Sequence, residues 1–243
     1  MSPDIILIVL VAAMMHASWN FLVKSTDDKL VGMSAVVIGH VPFSLLALII
    51  APLPLQASFV FIVWSVIFHT GYQWFLLNAY RLGDLSKVYP LSRGVAPLLV
   101  TMISIGFLGV VLSQTELAAI LIIGLGIASL VLTRSRSGSF DLKTVLLSLI
   151  AGCFIAAYSM TDGLGARAAQ SPLGYYATGS IVTAIVWTVY IHFKRPGLLK
   201  TLFTTQKRLT LLGGSASFGA YATVVWAFTV APIALVTALR ETS

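Results

Sequence analysis

Long apolar runs separated by short polar breaks follow one another along nearly the whole chain. They cover residues 5–23, 30–51, 59–80, 85–107, 117–133, 144–164, 173–193 and 209–230. Each is near the roughly twenty residues that a helix needs to cross a bilayer core. A ninth apolar run opens at Pro232. It reaches only about twelve residues, or about 18 Å of helix, against a core of about 30 Å. The pattern predicts an all-α membrane protein with eight full spans and part of a ninth, its C-terminal end incomplete.

One run differs from the rest. Residues 85–107 carry an arginine at depth, within Tyr89-Pro-Leu-Ser-Arg-Gly94. If that span starts at Leu85, Arg93 lies about 12 Å inside. A charged side chain in mid-bilayer costs about 2.5–3.5 kcal/mol on insertion scales, so it faces a cavity or a partner. The other reading is that Arg93 snorkels to the nearer surface. Helical spacing puts Tyr89, Arg93, Pro97 and Thr101 on one face. Pro97 removes a backbone donor beside Gly94, which predicts a kink near the arginine.

Composition agrees with the pattern. Hydrophobic residues make up 58% of the chain and charged residues 9%, with a mean hydropathy of +0.97. A soluble domain would carry about a quarter charged residues. The net charge of +7 does not point to nucleic acid, because the basic residues sit in short loops between apolar runs. Cys153 is the single cysteine, which excludes an intramolecular disulfide and a cysteine-based metal cluster. The start, Met-Ser-Pro-Asp, lacks the basic n-region of a secretory signal, so the first span is expected to be retained.

Loop charge predicts orientation. Lys24, Lys29, Arg81, Lys87, Arg134, Arg136, Lys143, Lys194, Arg195, Lys200, Lys207 and Arg208 lie in or beside the connections after spans one, three, five and seven. The opposite side holds Arg167. By the positive-inside rule those four connections are cytoplasmic and the N-terminus is outside.

A weak internal repeat runs through the chain. Residues 79–93 lie without gaps over 227–241, with identities at Ala79/Ala227, Val88/Val236 and Leu91/Leu239, and His16–Asn20 overlies residues 155–159. Five spans followed by five more make the repeats inverted in the membrane. The first repeat is placed at 1–138 and the incomplete second at 139–243, divided within the polar linker 134–143. Small residues four apart, as at Gly124/Ala128 and Ser215/Gly219/Thr223, suit close helix packing.

The polar residues inside the spans are the candidate site. His16 and Asn20, one turn apart with Trp19 between them, read either as cavity-lining groups or as interhelical hydrogen-bonding glue. Gln73 and Tyr221 fall at equivalent repeat positions, which favours a shared central cavity; Tyr72 adjoins the first. Arg240-Glu241 is the counterpart of Ser92-Arg93, and Arg93 and Glu241 are placed to meet across the repeat axis. A carboxylate there would serve in an ion pair or bind a coupling proton. Asp162 is expected to pair with Arg167 near the outer surface. His16, His40, His69 and His192 show no spacing that joins two on one helix, so no metal site is expected.

His16-Ala-Ser-Trp-Asn-Phe-Leu-Val-Lys24, Tyr89-Pro-Leu-Ser-Arg-Gly94 and Tyr158-Ser-Met-Thr-Asp-Gly163, with the ending Ala-Leu-Arg-Glu-Thr-Ser, resemble the EamA-like drug/metabolite transporter superfamily. The likeness is to a bacterial branch associated in part with phosphonate-utilisation genes. It implies ten helices in two inverted five-helix repeats, here about eight and a half, with substrate held in a central cavity between the halves. Gly109-Val110 departs from the Gly-Glu pair common after the fourth helix. Better-known members are described with the N-terminus inside, against the loop charges here.

These readings predict a secondary transporter, in the exporting direction, for a small polar or anionic metabolite in the bacterial inner membrane, moving it by alternating access. Arg93 would attract an anionic group, with Tyr89, His16, Trp19, Asn20, Gln73, Tyr221 and Arg240 around the cavity and Glu241 as ion pair or coupling group. No P-loop is present, and no cofactor or nucleic acid is expected. The partners are the substrate and the bilayer, with room for proton coupling and for a homodimer. Two alternatives stand beside this: an intramembrane enzyme on lipid-linked substrates, which would need clustered acid, base or nucleophile groups, and an inactive truncated transporter.

Overall fold

The computed structural model describes residues 1–24, 26–82, 85–134 and 142–243. Helices are α1 (Pro3–Lys24), α2 (Lys29–Gly39), α3 (Val41–Ile50), α4 (Phe59–Leu82), α5 (Leu85–Gly106), α6 (Gln114–Arg134), α7 (Leu142–Ala169), α8 (Pro172–Lys194), α9 (Leu198–Thr204), α10 (Lys207–Val230) and α11 (Ile233–Arg240). No strand occurs among the described residues. Among the described residues seven segments are long and apolar enough to cross a membrane, α2 and α3 together making one of them. In α6 the described apolar stretch is the shorter Gln114–Ile127. The expected repeat boundary at 138/139 lies outside the described residues, as do Arg136 and the side chains of Lys24, Lys87, Ala128 and Arg134.

Local chemistry sets the helix ends. Asp28 caps α2 by accepting from the backbone N–H of Leu30 at 2.9 Å and Val31 at 3.2 Å. Ser171 caps α8, where Pro172 occupies the first turn. The second apolar run is one stretch in sequence but two helices in space, joined at His40. Pro42 sits in the first turn of α3 and has no N–H to continue the α2 ladder.

The exterior is apolar. Val111, Phe107, Phe193 and Ile49 are each at least 80% exposed, the reverse of a water-facing surface and suited to lipid. Inside, the most extensive packing is α4 against α7, followed by α1 against α10 and α5 against α7, and then α5 against α6. α2 lies on α10, α3 on α8, and the short α11 on α5 and α1.

Two close approaches depend on glycine. A Cβ built on Gly214 would come within 2.6 Å of Gly39 Cα, so the backbones of α10 and α2 meet there. A Cβ on Gly152 would lie 2.7 Å from the Ser92 carbonyl oxygen, which lets α7 settle against α5 one residue from Arg93.

Loop contacts tie the two ends of the bundle. Arg195, after α8, pairs with Asp28, after α1. At the other end the Ser171 hydroxyl donates to the Pro52 carbonyl at 2.6 Å, and the Met1 ammonium lies 3.6 Å from Glu116. These pairings put the connections after α1 and α8 at one end. They group residues 51–58 with 170–171, and the N-terminus with the connection before α6.

Candidate functional site

A cavity with a water-accessible volume of about 80 Å³ opens inside the bundle, several times the space one water needs. Its walls come from α1, α2 and its joint with α3, α4, α7, α8 and α10. Tyr72, Tyr158, Tyr175, Tyr176 and Tyr221 line it, with Trp19 and three histidines, His16, His40 and His69. Gln73, Ser65, Ser180, Thr183 and Ser217 add polar groups, and among the described residues no Asp, Glu, Lys or Arg is in the wall.

Five lining side chains carry a buried polar atom with no partner among the described residues: His16 Nδ1, Trp19 Nε1, His40 Nε2, Gln73 Oε1 and Ser180 Oγ. A buried polar atom left unpaired costs about 1–3 kcal/mol. Five around one space mark a surface shaped for polar contents.

The expected site residues divide into two groups. His16, Trp19, Gln73 and Tyr221 line the cavity. Arg93, Tyr89, Asn20, Arg240 and Glu241 stand one side chain behind it, as a charged cluster. Glu241 lies 2.9 Å from Arg93 through Oε2 and accepts from Arg240 Nε at 2.8 Å through Oε1. Arg93 donates to His16 Nε2 and, at 2.8 Å, to the Ser243 hydroxyl. Its guanidinium sits 4.5 Å from the Tyr89 ring centre, and the Tyr89 hydroxyl accepts from Asn20 at 2.8 Å. Arg240 reaches Ser159 at 3.3 Å and lies 5.4 and 5.5 Å from the rings of Tyr158 and Tyr221. Arg93 therefore does not snorkel: it is 3% exposed and paired within the bundle. His16 joins cluster to cavity on one side, and Tyr158 and Tyr221 do so on the other.

Asp162 departs from expectation. It does not pair with Arg167, which donates instead to the carbonyls of Phe228 at 2.8 Å and Ala231 at 3.0 Å. Asp162 is 1% exposed, and three cavity-lining side chains converge on it. His69 Nε2 lies 2.9 Å from Oδ2, the Tyr221 hydroxyl donates to Oδ2 at 2.7 Å, and the Tyr175 hydroxyl donates to Oδ1 at 3.1 Å. One turn of α7 separates Asp162 from Tyr158, whose ring stacks on His69 at 4.1 Å and 17°. The α4–α7 packing brings His69 and Asp162 together, and spacing along either helix does not reveal it. The only sequence signal was a carboxylate in an apolar run with tyrosines in the next span.

No protein-family model and no curated protein matches the chain. A solved crystal structure superposes with a TM-score of 0.63 at 16% sequence identity, covering 98% of this chain and 95% of the other. At that identity the likeness concerns the fold alone. Among the described residues the chain is all-helical, with seven apolar segments long enough to span a membrane.

Proposed function

We propose that the chain is a secondary transporter that moves a small polar or anionic metabolite through the cavity by alternating access, as its resemblance to EamA-like transporters implies. The carrying observation is the set of five unpartnered polar atoms around a cavity inside the bundle. Such a surface fits a solute that supplies hydrogen bonds and offers flat faces to the tyrosines.

Helix packing supports the inverted-repeat arrangement. Exchanging α1 with α7, α2 with α8 and α4 with α10 converts the most extensive packing, α4 on α7, into another of the large ones, α10 on α1. The same exchange carries α2 on α10 into α8 on α4, and both contacts exist. The cavity lies between the two helix groups so related, where rocking of one against the other would open it alternately to each side.

The charged cluster contributes through the wall. Arg93 and Arg240 share the single carboxylate of Glu241, so the cluster by itself bears one surplus positive charge. That charge stands behind His16, Tyr158 and Tyr221 and favours an anionic group in the cavity. The test is uptake of labelled carboxylates, amino acids and phosphonates into vesicles containing the purified chain, beside protein-free vesicles. Saturable accumulation supports transport.

A further inference from the structure

The unpartnered atoms around the cavity differ in sense, and their sense decides what they can bind. Arg93 has only N–H groups to offer, so His16 Nε2 accepts from it and the ring hydrogen of His16 sits on Nδ1. The Trp19 indole nitrogen likewise only donates. His16 Nδ1 and Trp19 Nε1 are therefore two donors, both buried and both without an acceptor among the described residues. They lie within one turn of α1, their ring centres 4.8 Å apart, and both residues line the cavity. Gln73 Oε1, on α4, is of the opposite sense, and the Ser180 hydroxyl serves either way.

The charge behind these two donors is positive. His16 is held by Arg93, which shares the carboxylate of Glu241 with Arg240. A donor whose ring accepts from a guanidinium donates more strongly, because hydrogen bonds in a chain polarise one another. Asp162, the other buried carboxylate among the described residues, is met by His69, Tyr221 and Tyr175 of α4, α10 and α8, none of them on α1. Two neighbouring N–H groups with one surplus positive charge behind them match the two oxygens and single charge of a carboxylate. A phosphonate brings a third oxygen and more charge, for which the described wall offers no guanidinium or ammonium.

We propose that His16 Nδ1 and Trp19 Nε1 form a carboxylate-binding subsite in the cavity, with Arg93 as the positioning residue that keeps the His16 hydrogen on Nδ1. Its use as the docking point of a transported solute rests on the transport reading; carboxylate binding itself does not.

The test is binding of labelled benzoate at neutral pH to the chain in phospholipid nanodiscs, with uptake by empty nanodiscs subtracted. Saturable binding is expected. In nitrogen-labelled protein the indole N–H proton of Trp19, assigned among the five tryptophans by its loss in Trp19→Phe, should move downfield as benzoate is added. Benzamide, of the same shape but uncharged, and phenylphosphonate should each bind at least about threefold more weakly. Trp19→Phe and His16→Phe each keep a ring and remove one N–H, and each should weaken benzoate binding at least about tenfold. Trp19→Phe breaks no hydrogen bond of the indole, so it decides the matter if His16→Phe does not fold. The role of Arg93 is read by nitrogen NMR of histidine-labelled protein: His16 should carry its hydrogen on Nδ1 in the wild type, and Arg93→Ala should let it move to Nε2. Absent saturable binding, a Trp19 signal that benzoate does not shift, affinity indifferent to Trp19→Phe, equal binding of benzamide or phenylphosphonate, or a wild-type His16 hydrogen on Nε2 overturns the proposal. That failure would leave the transport reading standing, whereas benzoate binding as expected by a chain that moves no solute sinks only the latter.

Discussion

Arg93 and Glu241 form an ion pair at 2.9 Å within the bundle, with side chains 4% and 1% exposed. The same carboxylate also holds Arg240, so one acid is shared by two guanidinium groups. The two partners are therefore unequal. Removing Arg93 leaves the Arg240–Glu241 pair intact, whereas removing Glu241 leaves two buried cations facing each other. Breaking a buried pair costs about 3–5 kcal/mol. Glu241→Ala should reach that range and Arg93→Ala should fall below it, which thermal unfolding in one detergent will rank. The reverse order would contradict the shared-carboxylate geometry.

The contact between α2 and α10 gives a second prediction. A Cβ on Gly214 has the Gly39 backbone within 2.6 Å, while a Cβ on Gly126 meets nothing within 4 Å. Gly214→Ala must push two helix backbones apart, an overpacking cost of about 1–3 kcal/mol. Gly126→Ala should leave unfolding unchanged or raise it slightly, through better helix propensity. Equal melting behaviour of the two variants would argue against the crossing.

At the loop end, acid should weaken one tie. Partial burial pushes the Asp28 carboxyl up, but the Arg195 guanidinium and the N–H groups of Val31 and Leu30 outweigh it and hold it below its ordinary value. A depressed carboxyl stabilises the fold above the unfolded value of about 3.9, and that contribution is lost as pH falls through the lower folded value. Both side chains are roughly half exposed, so the pair contributes less than about 1 kcal/mol. Asp28→Asn should melt slightly earlier than wild type at neutral pH, and the gap should close in acid. A gap that widens in acid would reverse the sign.

Orientation is directly testable. In a Cys153→Ser background, a cysteine at Ser113 lies at the end of the bundle with the N-terminus, and one at Thr204 lies beyond α8, in the region of Arg195. Loop charge places the first outside and the second in the cytoplasm. A membrane-impermeant maleimide added to intact cells should label Ser113→Cys and spare Thr204→Cys. Labelling of Thr204→Cys alone would invert the topology.

Hydropathy alone made much of the fold legible. The run 173–193 corresponds to α8 at Pro172–Lys194, and 209–230 to α10 at Lys207–Val230. The break at His40 was not read, because a window of twenty apolar residues averages over one joint, although Pro42 signals it. At the site, the unusual charges drew attention to Arg93 and Glu241, and the repeat register brought them together. Asp162 was misplaced for a physical reason. Arg167 is near it in sequence, but its real partners, His69, Tyr175 and Tyr221, sit on three other helices, and helix-to-helix contacts leave no periodic trace in a lone sequence.

The most direct test is uptake of labelled small carboxylates, amino acids and phosphonates into vesicles holding either wild type or Arg93→Ala. Transport through this cavity predicts saturable accumulation of at least one compound by the wild type, reduced at least about tenfold by Arg93→Ala at equal membrane insertion. No accumulation above protein-free vesicles, or equal uptake by the variant, would contradict it.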